Sequence, residues 1–80
     1  MSDKQIIVYG TTWCPDVRRA RKYFAKHNIP YTFIDVDKDE EGLAFVKTKN
    51  NGKRVVPTIV FPDNSILVEP SNSQLATKFD

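Results

Sequence analysis

The sequence is poor in sulfur and glycine and has no long apolar stretch. Its 80 residues include one cysteine, one tryptophan and three glycines. A single cysteine cannot close an internal disulfide, which excludes a disulfide-stapled secreted scaffold and makes a reducing, cytoplasmic location the expectation. Because the chain has no apolar run of membrane-spanning length and no signal-peptide pattern at its start, we expect no membrane association.

The chain also lacks a large excess of either charge, since 12 lysines and arginines nearly balance 10 aspartates and glutamates. The formal net charge of +2 is too small to require a nucleic-acid partner, and none is expected. No repeat, low-complexity segment or linker divides the chain, and 80 residues suit one small domain. We therefore expect residues 1–80 to form a single domain that acts as a monomer.

The first third of the chain has a strand pattern followed by a helical one. A β-branched apolar run from Lys4 to Gly10 predicts a strand, and its continuity favours a central strand with both faces covered. From Pro15 to about His27 the spacing becomes helical, with Val17, Ala20 and Phe24 on one stripe that faces a core.

The remaining chain alternates strands and helices in the same way. The predicted elements are a strand at residues 31–36, a helix capped by Asp37 or Asp39, strands at residues 55–61 and 66–68, and a last helix capped by Ser71 or Asn72 that runs to about Lys78. The order βαβαββα predicts an α/β protein. It has a four-stranded mixed sheet with helices on both faces, and its first two strands are parallel.

The single cysteine lies where the first strand gives way to the first helix. Pro15 follows it, and proline is favoured at the first position of a helix, so Cys14 is predicted at the N-cap. The positive end of the helix dipole favours the thiolate, which is the nucleophilic form of cysteine. A lone cysteine is more often an inert buried residue, but this position favours a reactive one.

A proline interrupts the predicted third strand. Val55 and Val56 before it and Thr58 and Ile59 after it all favour a strand, whereas proline removes one ladder hydrogen bond. Pro57 is therefore predicted either at the start of the strand or after a cis peptide bond.

Taken together, these segments resemble the glutaredoxins of the thioredoxin fold, in particular the small group that includes the mycoredoxins. The resemblance covers nearly the whole chain. The residues that carry it are Thr11-Thr12-Trp13-Cys14, Arg18-Arg19, Ile34-Asp35-Val36, Asn51-Gly52, Arg54-Val55-Val56-Pro57-Thr58, and Phe61 with Asp63.

The resemblance implies thiol–disulfide exchange with Cys14 as the catalytic nucleophile. It also implies a cis Pro57 beside the sulfur, and a backbone at Val56 that docks the peptide-like part of a thiol. The full set of expected thiol-binding residues is Thr12, Trp13, Pro15, Val17, Arg18, Arg54, Val56, Pro57, Ser71 and Asn72. The implied co-substrate is a low-molecular-weight thiol, glutathione or an analogue, and no permanently bound cofactor or metal is expected.

Three departures from the family pattern limit this expectation. The second cysteine of a C-x-x-C site is replaced by Val17, a lysine frequent three residues before the cysteine is replaced by Thr11, and residues 69–72 replace a glycine pair followed by an acid. Without a second cysteine the remaining possibility is a monothiol cycle on mixed disulfides, resolved by an external thiol. Val17 is either natural or an engineered replacement of the resolving cysteine.

Two other functions stay open. The chain could be a non-catalytic thioredoxin-fold module that binds a protein partner through the basic face of the first helix, which carries Arg18 and Arg19. A cluster-binding adaptor is a weaker alternative, because relatives that share an iron–sulfur cluster have Gly-Phe-Ser after the cysteine and this chain has Pro15-Asp16-Val17.

Overall fold

The computed structural model describes residues 5–79, which form the predicted order βαβαββα. The strands are β1 (Ile6–Gly10), β2 (Tyr31–Asp35), β3 (Thr58–Val60) and β4 (Ile66–Val68). The helices are α1 (Pro15–Lys26), α2 (Glu40–Lys49) and α3 (Asn72–Ala76). No helix within residues 5–79 has the length and apolarity needed to cross a bilayer.

The four strands form one mixed sheet in the order β2-β1-β3-β4. β1 pairs parallel with β2 and antiparallel with β3, and β3 pairs antiparallel with β4. Val8 in β1 lies opposite Phe33 on one side and Ile59 on the other. β1 is therefore a central strand, and the predicted mixed sheet with a parallel first pair is confirmed.

Helices cover both faces of this sheet. One face and the helices α1 and α3 enclose a group of buried side chains that we call the main core: Ile6, Val8, Ala20, Phe24, Ile59, Phe61 and Leu75. On the other face α2 packs against the sheet, where the ring of Phe45 stacks on Tyr9 with centroids 4.7 Å apart. The predicted stripe on α1 is buried as expected.

A second buried group lies apart from the main core. It consists of Val17, Val36, Val46 and Val56, and we call it the valine cluster. Its members come from α1, from the residue after β2, from α2 and from the segment before β3. The valine cluster therefore joins elements that lie far apart in the sequence.

Local signals at the helix ends decide between the predicted caps. The Asp39 side chain accepts hydrogen bonds from the backbone of Glu41 and Gly42, so Asp39, and not Asp37, caps α2. Ser71 caps α3 in a reciprocal capping box with Gln74. α3 ends at Ala76, so its predicted extension to Lys78 was wrong.

The third strand is shorter than predicted, since β3 begins at Thr58 and not at Val55. Pro57 has no N–H to donate to a neighbouring strand, and the Val56–Pro57 peptide bond is cis. The Thr58 hydroxyl donates to the Val55 carbonyl at 2.8 Å, which closes a turn in the three residues before the strand. Lys4, the predicted start of β1, lies outside the described residues.

Candidate active site

The thiol of Cys14 lies at the carboxyl end of β1, where a short loop leads into α1. Cys14 has extended backbone angles (φ −77°, ψ 126°), and its carbonyl accepts the hydrogen bond of the Arg18 N–H at 3.0 Å. The side chain makes no capping hydrogen bond within the described chain, and the thiol is free and partly exposed. The predicted N-cap position thus leaves the sulfur available for reaction.

The valine cluster lies beneath Cys14 and supports it. Cys14 packs against the cluster, in which Val17 is fully buried. Val17 follows Cys14 by three residues, so the two share one side of α1. A Cβ atom on Gly10 would lie 2.8 Å from both γ carbons of Val17. The position three residues after Cys14 is therefore filled by an apolar side chain that fits only because residue 10 is glycine.

The residue before the cysteine is tied to two distant segments. Trp13, whose exposed fraction is 59%, donates its indole N–H to Asp37 Oδ2 at 2.9 Å. Arg54 pairs with Asp37 Oδ1, and its guanidinium lies 5.8 Å from the centroid of the Trp13 ring. The hydrogen bond from Trp13 is the main cause that lowers the pKa of Asp37 below its usual value, and the contact with Arg54 lowers it further. Asp37 is therefore ionised at neutral pH.

The neighbouring arginines of α1, Arg18 and Arg19, have different partners. Arg18 donates to the Trp13 carbonyl at 3.4 Å, so its charge stays beside the Cys14 loop. Arg19 pairs with Asp16 at 3.1 Å and donates to the Pro70 carbonyl at 3.3 Å. Arg19 thus connects α1 to the start of α3, and only part of the predicted basic face turns towards the thiol.

The segment around Pro57 also contributes to the surroundings of Cys14, through Val56. Val56 belongs to the valine cluster against which Cys14 packs, and Pro57 is fully buried. The Pro57 carbonyl accepts a hydrogen bond from the Glu69 N–H at 2.9 Å. Glu69 is exposed and adopts a left-handed backbone with φ +49°, a region that is uncommon for residues other than glycine. The structure thus brings Val56 into the cluster against which Cys14 packs and ties the adjacent Pro57 to Glu69.

The other predicted thiol-binding residues are Thr12, Pro15, Ser71 and Asn72, and they differ in their position relative to Cys14. Thr12 and Pro15 are exposed on either side of the Trp13–Cys14 pair. The Ser71 hydroxyl accepts from the Gln74 N–H at 3.2 Å, and the Ser71 N–H donates to the Gln74 side chain at 2.9 Å. Asn72 lines a groove along the outer face of α1. The polar contacts of Ser71 thus serve α3, and Asn72 lies against α1 and not in the Cys14 loop.

One residue near the site, Asp37, was missed as a site residue by the sequence analysis, and another, Thr11, was named there only as part of the family pattern and as a departure from it. Asp37 was considered only as a helix cap, although it follows β2, whose carboxyl end meets that of β1 because the two strands are parallel. That shared edge was the signal that could have found it. Thr11 is fully buried, and its hydroxyl finds no hydrogen-bond partner within residues 5–79. In that same range no three His, Cys, Asp or Glu side chains group to hold a metal ion.

These features first define a class of protein. A free thiol at the N-cap of the first helix, with a Val–Pro segment beside it on a four-stranded mixed sheet, is the arrangement of thioredoxin-fold thiol–disulfide oxidoreductases. Within that class the chain belongs to the glutaredoxin family, whose family model, described as glutaredoxin, matches residues 6–66. Membership in this family supports a thiol–disulfide oxidoreductase function.

Two proteins with similar sequences agree with this assignment. Mycoredoxin 1 of Corynebacterium glutamicum is 35% identical over 75 residues, which cover 94% of this chain and 92% of the relative. A Mycobacterium tuberculosis protein named as a glutaredoxin is 32% identical over 73 residues, covering 91% of this chain and 87% of that protein.

Solved structures support the fold. A thioredoxin-like protein superposes with a TM-score of 0.82 at 21% identity, covering 95% of this chain and all of the other (100%). A buckwheat glutaredoxin, solved in complex with glutathione, gives a TM-score of 0.69 at 20% identity, with 94% of this chain and 67% of that chain covered. At these identities the likeness establishes the thioredoxin-like glutaredoxin fold.

Proposed function

We propose that this protein reduces mixed disulfides between proteins and a small thiol through Cys14 alone. The observation that carries the proposal is the position of the free, partly exposed thiol at the N-cap of α1, where its side chain makes no capping bond within residues 5–79. Helix N-termini stabilise a thiolate, and Arg18 adds a positive charge beside the loop.

The proposed cycle has two exchange steps. In the first, the Cys14 thiolate attacks the small-thiol sulfur of a protein mixed disulfide; a new disulfide forms between Cys14 and the small thiol, and the protein thiolate leaves. In the second, the thiolate of another small-thiol molecule attacks that sulfur, which releases the symmetrical small-molecule disulfide and regenerates the Cys14 thiolate. In total one free small-thiol molecule is consumed: the protein thiol is reduced, and that molecule leaves in a disulfide with the small-thiol unit that the mixed disulfide carried.

The site residues divide this work among them. We assign docking of the peptide-like part of the thiol to the backbone at Val56 and Pro57, and an apolar wall to Trp13. Thr12, Pro15 and Val17 shape the surface around the thiol. Arg18 supplies positive charge, and Arg54 adds a charge that its ion pair with Asp37 partly balances. Ser71 and Asn72 would contact only the far end of a larger thiol, because their contacts in the fold are to α3 and α1.

The proposed co-substrate is glutathione or an analogous low-molecular-weight thiol, as the glutathione complex of the buckwheat glutaredoxin suggests by analogy. We further propose that the protein works as a monomer in the cytoplasm, where thiols are kept reduced. Its substrates would be small-thiol mixed disulfides of other proteins, with no part for nucleic acid, membrane or a permanently bound cofactor.

Intact-mass analysis after exposure to oxidised glutathione tests the proposal. We expect one adduct per chain at pH 7, which disappears when reduced glutathione is added in excess, because the second exchange step regenerates Cys14. Cys14→Ser should acquire no adduct. Catalysed removal of glutathione from a glutathionylated test protein should be lost in the same variant.

A folded protein whose Cys14 reacts no faster than free cysteine would contradict the proposal. It would favour the alternative of a non-catalytic binding module. In that case Cys14→Ser would keep its partner, and Arg18→Glu combined with Arg19→Glu would lose it.

A further inference from the structure

Asp37 lies close to the thiol site, but the proposed cycle assigns it no role. It lies in the turn between β2 and α2, where its own N–H donates to the Asp35 side chain at 2.9 Å. Both of its carboxylate oxygens are engaged, one by the Trp13 indole and the other by Arg54. Asp37 is thus held from its backbone and directs its charge at two residues of the thiol site.

The consequence concerns the charge that Arg54 can offer a ligand. Arginine is well suited to bind a carboxylate, because its planar group donates two parallel hydrogen bonds. Here an ionised carboxylate of the same chain already occupies Arg54, and the bonds that hold it keep the pKa of Asp37 low. A thiol with its own carboxylates would have to compete with Asp37 for this arginine, whereas a neutral thiol would not.

We propose that Asp37 sets the thiol preference of the site, since by engaging Arg54 and Trp13 it disfavours carboxylate-bearing thiols relative to neutral ones. The proposal rests on the function proposed above. Asp37 acts through Arg54 and Trp13 and is a positioning residue. An ion pair between exposed side chains is weak, so the expected change in preference is small, roughly two- to fivefold.

The variant Asp37→Asn removes the negative charge of the side chain and keeps its shape. The asparagine carbonyl can still accept the Trp13 indole hydrogen bond, but the side chain no longer neutralises Arg54. Trp13 is the single tryptophan of the chain, so its fluorescence emission reports whether the indole keeps its environment in the variant.

The measurement is the rate of Cys14 adduct formation with two disulfides, oxidised glutathione, which carries carboxylates, and bis(2-hydroxyethyl) disulfide, which is neutral. We expect Asp37→Asn to raise the ratio of the two rates, glutathione over neutral, about two- to fivefold. The gain should shrink in 1 M salt, where the screening length falls to about 3 Å. Asp37→Asn combined with Arg54→Gln should lose the gain.

Asp16→Asn is the matched control. Asp16 lies two residues after Cys14 and pairs with Arg19, so this variant removes the same charge near the thiol without freeing Arg54. A rate ratio that is unchanged in Asp37→Asn, or that rises as much in Asp16→Asn, overturns the proposal. If Cys14 reacts with neither disulfide in the unmodified protein, the proposed function fails instead, so the two failures are distinct.

Discussion

The main core and the valine cluster differ in composition and in what lies above them. The main core contains two buried phenylalanines, and the ring of Phe24 lies 5.3 Å from that of Tyr31 and 6.2 Å from that of Phe79. The valine cluster contains four valines and supports a partly exposed thiol. Large rings dominate apolar burial, whereas valines are small and restricted at χ1. We infer that the main core provides most of the stability and that the valine cluster sets the shape of the reactive surface.

The largest expected effect comes from the main core. Phe24→Ala should cost about 3–5 kcal/mol, because it removes a fully buried ring and leaves a cavity. A domain of this size has a total stability of roughly 4–12 kcal/mol, so much of it would be lost. Urea denaturation followed by Trp13 fluorescence measures the cost. Val46→Ala in the valine cluster is the matched comparison, with a cost of about 2 kcal/mol, and equal costs in the two variants would remove the distinction.

An intermediate effect is expected at the start of α3, which closes the main core through Leu75. Ser71→Ala removes the side chain that caps the helix, and such caps contribute about 1 kcal/mol. The adjacent exposed Asn72 offers a control, since Asn72→Ala should change the free energy of unfolding by less than about 0.5 kcal/mol. If both variants unfold at the same urea concentration, the capping box contributes nothing.

The smallest effect on stability, and the most informative one for chemistry, is expected at Val17. Val17→Cys keeps a small apolar side chain in the valine cluster and should cost less than about 1 kcal/mol. Under mild oxidant it should form a disulfide with Cys14, seen as the loss of both free thiols by mass spectrometry. Ala20→Cys is the control, since residue 20 lies six positions along α1, roughly 9 Å away, beyond disulfide reach. Two persistent free thiols in Val17→Cys would mean that the site geometry is wrong.

Features that depend on local spacing could be predicted from the sequence. The stripe of Val17, Ala20 and Phe24 follows directly from the helical repeat, and the position of Cys14 follows from the proline after it. The choice of Ser71 over Asn72 as the cap was also readable, because Gln74 stands three residues after Ser71 and completes a capping box.

The parallel pairing of β1 and β2 could be predicted, but contacts between particular distant residues could not. Val55, Val56 and residues 58–61 all favour a strand. Pro57 and the pairing with β1 and β4 decide together that only Thr58–Val60 form it. Asp37 meets Trp13 across 24 residues of sequence and Arg54 across 17, so no local pattern relates them. The two buried groups became distinct only once the sheet order and helix packing were known.

The close contact between Gly10 and Val17 has a consequence for how the sequence can vary. A side chain at position 10 would collide with both methyl groups of Val17, whereas a residue with a single γ atom at position 17 would leave at least one of those places vacant. The two positions are therefore coupled, and in related sequences a residue larger than glycine at position 10 should accompany cysteine or another unbranched residue at position 17. A dithiol site requires a change at position 17 alone, because glycine at position 10 accommodates the smaller cysteine.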